Sequence, residues 1–250
     1  LGQLLFYTDG IRVYNRNHQI MVNGSGLLGD PSSTHSATIV PKPGNPNLFY
    51  IFTLAASGNA PGFRYSVVDL ALDGGNGAIT SEKNVLIYAP SNEKLTVVKH
   101  PNNIDYWLVT MGYPGNTFYT HLLTASGVSS TPVVSVAGHY VTNIDFNNVI
   151  GQMKLSPSGN KLAVAHSREQ VVQLLDFNSN TGVISNPITL YQNPSITIGN
   201  SVYGIEFSPN GEVLYVTKVF EASILQFDLT ASNIPASMYY VASNYTSDFG

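Results

Sequence analysis

The stretch Met153-Lys154-Leu155-Ser156-Pro157-Ser158-Gly159-Asn160-Lys161-Leu162-Ala163-Val164 recurs 52 residues later as Ile205-Glu206-Phe207-Ser208-Pro209-Asn210-Gly211-Glu212-Val213-Leu214-Tyr215-Val216, Ser156 matching Ser208. A second landmark keeps the register, since Leu175-Asp176-Phe177 faces Phe227-Asp228-Leu229 at the same offset. Weaker copies lie upstream. Val98-Lys99-His100-Pro101 leads into Tyr106-Trp107-Leu108-Val109-Thr110, and Ile39-Val40-Pro41 leads into Phe49-Tyr50-Ile51-Phe52-Thr53, with 57 residues from Thr53 to Thr110.

Each unit reads as four short strands. In the best-preserved one these are Gln152 to Ser156, Lys161 to His166, Gln170 to Phe177 and Pro187 to Tyr191, separated by Pro, Gly, Asn and Ser clusters. In Ser156-Pro157-Ser158-Gly159 the proline presets the second turn position and the glycine closes the fourth, so the first two strands form a hairpin. One segment argues for helix: Ser167-Arg168-Glu169-Gln170 resembles a capping box, with Val171, Val172, Leu174 and Leu175 at helical spacing behind it. Its counterpart one period later, Ala222 to Asp228, reads as a strand, and the repeat decides for strand.

Four-stranded units at periods of about 40 to 55 residues are the signature of an all-β propeller, in which blades pack radially and cover each other's faces. Strands buried on both faces tolerate apolar or neutral residues, as in Phe49 to Thr53, Tyr106 to Thr110 and Leu214 to Thr217. A β-sandwich or jelly roll does not predict a tandem copy. The expected layout is a single domain over 1–250, incomplete at both ends. Its blades lie near 1–30, 35–90, 93–138, 149–192 and 201–243, four of them full and the first partial, with Tyr245 to Gly250 opening another blade of a larger ring.

Composition agrees. Charged residues make up 10 % of the 250, there is no Cys, and polarity comes instead from 24 Asn, 25 Ser and 18 Thr. This excludes a disulfide-stapled mini-domain, Cys-ligated metal centres, coiled coils and charge-driven disorder. A net charge of -4 leaves no basic stripe for nucleic acid, and no stretch approaches the ~18 apolar residues of a membrane-spanning helix. A neutral polar surface suits a secreted or cell-surface protein.

Few residues suggest chemistry. His18, His35, His100, His121, His139 and His166 show no short metal-ligand spacing and read as turn or strand-edge histidines with local hydrogen bonds. Asp73-Gly74-Gly75-Asn76-Gly77 lacks the ligands of an EF-hand loop and reads as a glycine turn. There is no nucleophile elbow or Walker loop, and Asp69, Asp176 and Asp228 fall at equivalent blade positions, as turn-capping residues would. The sequons Asn23-Gly24-Ser25 and Asn244-Tyr245-Thr246 mark exposed loops. Aromatics serve blade packing first, although Tyr113 or Tyr239-Tyr240 could join a carbohydrate platform. Propellers bind ligands at the mouth of the central channel. The repeat places His35, Ser36, Glu93, Thr96, Gln152, Tyr203 and Gly204 near it; only Glu93 and His35 suit metal chemistry, and no metal or other cofactor is expected.

Leu4-Leu5-Phe6-Tyr7-Thr8-Asp9-Gly10-Ile11-Arg12-Val13-Tyr14-Asn15, with His18-Gln19-Ile20-Met21, Gly26-Leu27-Leu28-Gly29, Ile39 to Gly44, Arg64 to Asp69, Glu93 to His100 and Asp105-Tyr106-Trp107, resembles the N-terminal propeller of large secreted Bacteroidota proteins. Those proteins continue into adhesion-type modules and a gliding-motility-associated, type IX secretion C-terminal domain. The later Ser-Pro-x-Gly units are generic to WD-like and YVTN-type propellers. The resemblance implies an extracellular or cell-surface location and an adhesion role. It points to protein or glycan surface ligands and self-association within an assembly, without nucleic acid or membrane insertion. The expectation is a noncatalytic binding or structural module and not an enzyme; the alternative is a lactonase-like or other metal-dependent hydrolytic propeller.

Overall fold

The computed structural model describes residues 2–193, 201–219 and 223–243. Its regular structure is almost entirely strand. The first unit holds β1 (Phe6–Thr8), β2 (Arg12–Asn15) and β3 (Ile20–Ser25). The second holds β4 (Ala37–Pro41), β5 (Leu48–Leu54) and β6 (Phe63–Asp69), with β7 (Ala78–Ile79) and β8 (Val85–Tyr88) both paired to β6. The third holds β9 (Ser91–Lys99), β10 (Tyr106–Gly112) and β11 (Gly115–Thr124), with β12 (Gly127–Val128) and β13 (Val133–Val141) both on β11. The fourth runs β14 (Met153–Leu155), β15 (Lys161–His166), β16 (Val171–Phe177), β17 (Ile184–Gln192), and the fifth β18 (Val202–Phe207), β19 (Val213–Lys218), β20 (Ser223–Asp228), β21 (Tyr239–Ser243). Every strand pairing within a unit is antiparallel.

The repeated turns explain the hairpins. Leu155 pairs with Leu162 across Ser156–Asn160, and Phe207 with Leu214 across Ser208–Gly211. In both, the glycine N–H returns to the serine carbonyl at 2.8 Å, and Gly159 and Gly211 hold the left-handed φ of 66° and 74° that a side chain would resist. Ser167 to Gln170 forms a tight turn, because His166 pairs directly with Val171, so the repeat prevails over the local helix signal. The fourth strand starts at Ile184, earlier than the Pro187 expected from sequence.

The sheets cover one another in order. On β15, Leu162 and Val164 pack toward the third sheet with Trp107, Val109 and Met111, while Ala163 and Ala165 pack toward the fifth with Phe207, Leu214 and Phe227. A strand buried on both faces has no solvated side on which to carry charge, which accounts for the low charge content. Two further cores lie between the second and third units and between the first and second. The edge strands β9, β14 and β18 adjoin one another, the arrangement of inner propeller strands.

Two details depart from the sequence reading. The first two units are continuous, since β3 pairs parallel with β7 through Val22 and Ala78. And Asn23 lies within β3 at a φ of 58°, not in a loop: its amide donates to the Ile79 and Thr80 carbonyls while Lys83 donates to its oxygen. These bonds cover the edge that a three-stranded unit would otherwise leave open. Asn244 and Tyr245 to Gly250 lie outside the described residues. Among the described residues, no helix is long and apolar enough to cross a membrane.

Candidate active site

Antiparallel pairing sends alternate connections to the same end of every sheet. The register pairs Ala37 with Thr53, Leu54 with Phe63, Ser91 with Gly112, Gly115 with Val141 and His166 with Val171. The segments before β4, between β5 and β6, before β9, between β10 and β11, from β13 to β14, and between β15 and β16 therefore share one face. Polar side chains buried by the converging inner strands gather there.

At the start of β9, alternation sends Asn92 and Lys94 to one side and Glu93 to the other. Glu93, 2 % exposed, accepts from the Thr34 N–H at 2.7 Å, the Thr34 hydroxyl at 2.9 Å and the Ser57 N–H at 2.8 Å. Ser57 holds a left-handed φ of 58° to present that N–H, a strain the carboxylate bond offsets. The Thr34 hydroxyl also accepts from the Gly151 N–H at 3.2 Å, so Thr34 ties the second, third and fourth units together.

Lys94 is fully enclosed. Its ammonium donates to Asn92 Oδ1 at 3.1 Å and to the Val149 and Ile150 carbonyls at 2.9 and 3.1 Å. Loss of hydration draws its pKa down to about 7, against the opposing charges of Glu93 and Glu169. It anchors the 142–152 connection, which is also pinned by Asn148 on Thr142 and by Asp145 on Arg168 at 3.1 Å. Bonds from the Asn147 N–H and side chain, with the Arg168 charge, hold the Asp145 carboxyl below the usual range.

On the Lys94 side lies a pair of sharper chemical meaning. His139 near the end of β13 and Glu169 in the β15–β16 turn meet at 2.7 Å between Nε2 and Oε2, with side chains 27 % and 14 % exposed. Thr142 adds its N–H and hydroxyl to the other Glu169 oxygen at 3.4 and 3.3 Å, and Gln173 fixes the His139 backbone N–H at 2.6 Å. An ionised carboxylate only accepts, so in the neutral ring the proton sits on Nε2 and Nδ1 keeps its lone pair. The His166 ring stands 4.9 Å from that of His139. Burial above all, then the charge of Lys94, holds its pKa well below the ordinary histidine value, so His166 stays neutral. A carboxylate-oriented, partly exposed imidazole beside a neutral one is the equipment of a general base.

The residues expected at the mouth make the following contacts. Thr96 Oγ1 accepts from the Leu155 N–H and Gln152 Oε1 from the Ile205 N–H, while the Tyr203 carbonyl accepts from the Gln152 N–H: these three stitch neighbouring inner strands. The Ser36 carbonyl accepts from Leu54, and Gly204 from its backbone N–H donates to the Thr217 hydroxyl. His35 bonds Thr38 at 2.6 Å, and burial with the Lys154 charge lowers its pKa. Lys154 itself pairs at 2.6 Å with Glu206, its own repeat counterpart. The expectation that histidines sit at turns and strand edges with local bonds is corrected for His166 and His121, which are buried, and for His139, whose partner comes from another sheet. Tyr113 stands half-buried at this end, its ring where a side chain on Gly58 would lie, whereas Tyr239 and Tyr240 are exposed on β21.

Among the described residues, no group of three or more His, Asp or Glu side chains converges as metal ligands. Both Glu93 oxygens are taken by N–H and O–H donors, and His139 and Glu169 satisfy each other. Among the described residues, the Glu93 carboxylate and the His139–Glu169 pair are thus already committed to partners within the protein.

Neither family models nor curated proteins match the chain. Solved structures do. A Lactobacillus plantarum protein aligns at a TM-score of 0.50 and 16 % identity, over 80 % of this chain and 55 % of its own. A Bacteroides fragilis protein described as a candidate 6-phosphogluconolactonase aligns at 0.55 and 12 %, over 94 % and 68 %. A luciferin-regenerating enzyme aligns at 0.51 and 16 %, over 96 % and 73 %. The chain has a propeller-like fold. At such identities the likeness speaks to fold alone, and the chain spans little more than half of the first of these neighbours. It bears out the propeller part of the resemblance to Bacteroidota proteins. Two of the three neighbours are described as enzymes, however, which overturns the expectation of a noncatalytic module without itself assigning this chain an activity.

Proposed function

We propose that the chain hydrolyses an ester or lactone by general-base catalysis at the His139–Glu169 pair. The observation that carries this reading is the 2.7 Å contact between a carboxylate and a part-exposed imidazole contributed by different sheets at the loop-bearing end. Glu169 orients the ring and offsets the charge that develops on it. Nδ1 takes a proton from water as the water oxygen bonds to the carbonyl carbon. Collapse of the tetrahedral intermediate breaks the bond to the alkoxide oxygen, which takes up that proton, so acid and alcohol leave and His139 returns neutral. The neighbour described as a candidate 6-phosphogluconolactonase supports the class of chemistry by fold-level analogy.

The test is hydrolysis of p-nitrophenyl acetate and δ-valerolactone by the purified chain. His139→Ala should lower kcat/KM about 10²-fold or more, the usual scale of general-base loss. Turnover equal in wild type and His139→Ala, or none in wild type, overturns the reading.

The resemblance of the first half of the chain to Bacteroidota secreted propellers supports a second proposal, an extracellular or cell-surface location with protein or glycan contacts there. Fractionation of cells making the native gene product tests it: recovery in the medium or outer-membrane fraction supports the location, and recovery in the cytoplasm contradicts it.

A further inference from the structure

Among the described residues around the His139–Glu169 pair, each cation is either paired with a carboxylate or enclosed. Arg168 is bonded to Asp145, and Lys94 is enclosed with its three protons on oxygens. A phosphate or carboxylate on the substrate would meet the Glu169 and Asp145 carboxylates, with the nearby Arg168 charge already offset by Asp145. The connection that supplies Thr142 to Glu169 and Asp145 to Arg168 instead presents Ile144, which is 89 % exposed although the segment around it is pinned by the bonds of Thr142, Asp145 and Asn148 and by Lys94. Tyr113 and the exposed Pro114 lie at the same end of the sheets, and the Tyr113 phenol is close enough to Asp145 and Glu169 for their charges to raise its pKa, after burial itself.

Resting on the general-base reading above, we infer that the site takes neutral esters or lactones with an apolar acyl chain, which lies on Ile144 beside the Tyr113 ring. A single exposed isoleucine is ordinary on a protein surface. The particular observation is one held by a pinned segment two residues from a hydroxyl that bonds the catalytic carboxylate. A chain laid on such a side chain leaves water on one face only, so each added methylene gains about half its full transfer value, roughly a twofold rise in kcat/KM.

The experiment compares p-nitrophenyl acetate with p-nitrophenyl octanoate for the wild-type chain, Ile144→Ser, and Ile104→Ser, a control in the β9–β10 turn at the opposite end of the sheet. The octanoate-to-acetate ratio of kcat/KM should exceed about tenfold in wild type and in Ile104→Ser and fall about tenfold in Ile144→Ser. A ratio near one in wild type, or one that Ile144→Ser leaves unchanged while acetate is still turned over, overturns the apolar-chain inference and leaves the general-base reading standing. Failure to hydrolyse either ester removes both.

Discussion

Replacing Glu93 by glutamine tests how the loop-bearing end is held together. Its buried carboxylate accepts three hydrogen bonds, two on Oε2 from Thr34 and one on Oε1 from Ser57. Glutamine keeps one acceptor oxygen and turns an NH2 toward at least one N–H. Each bond to a buried charge is worth about 1.5–3 kcal/mol, so losing one or two costs roughly 2–6 kcal/mol, reduced because a neutral side chain is easier to bury. A net loss of about 3 kcal/mol follows, or about 6–12 °C in Tm for a chain of this size. Urea denaturation and calorimetry of Glu93→Gln measure it, and a Thr34→Val partner in a double-mutant cycle should show coupling above about 1 kcal/mol. Stability within about 0.5 kcal/mol of wild type, or strictly additive variants, would refute the view that Glu93 is a structural tie.

Other expectations follow from the same geometry. The depressed pKa values of His166, His35 and His121 mean that unfolding takes up protons below the ordinary histidine value, so stability should fall with acidification below pH ~6.5, by up to about 1.4 kcal/mol per pH unit for each group. Lys94 acts with the same sign higher up: between about pH 7 and 10.5 only the unfolded chain holds its proton, so stability should still rise there. Above pH 10 the sign reverses, because burial pushes Tyr50 up to about 12 and raises Tyr88 further, so the unfolded phenols lose their protons first. Denaturation midpoints across pH 5 to 11 should trace this rise and fall, and a curve that declines steadily from pH 6 to 9 would contradict it. Leu214→Ala, at a fully buried position between the fourth and fifth sheets, should cost about 2–5 kcal/mol in urea unfolding. Gly151 holds φ at 115° with the Ala165 carbonyl 2.4 Å from where a Cβ would stand, so Gly151→Ala should lower stability by at least about 2 kcal/mol in the same assay.

The fold could be read from sequence because its signals are local and repeated. Ser-Pro-x-Gly sets a hairpin through backbone preferences within four residues, and a second copy one period on outweighs the misleading capping box at Ser167. The candidate site had no such signature. His139 and Glu169 are 30 residues apart on different sheets, and only the packing of one blade on the next brings them together. In the polar run Ser91-Asn92-Glu93-Lys94, the repeat singles out Glu93 as a mouth candidate. Lys94 was missed, because a lysine in such a run looks solvated. Its burial comes from the 142–152 connection folding over it, and the one hint in the sequence was that the run opens an innermost strand.

The most direct test is the pre-steady-state and steady-state hydrolysis of p-nitrophenyl octanoate by wild type, His139→Ala and Glu169→Gln, with folding of each variant checked by circular dichroism. If the pair is the catalytic base, wild type turns over without a burst, His139→Ala loses about 10²-fold or more in kcat with its fold intact, and Glu169→Gln falls between them. Undiminished turnover in a folded His139→Ala would contradict the account.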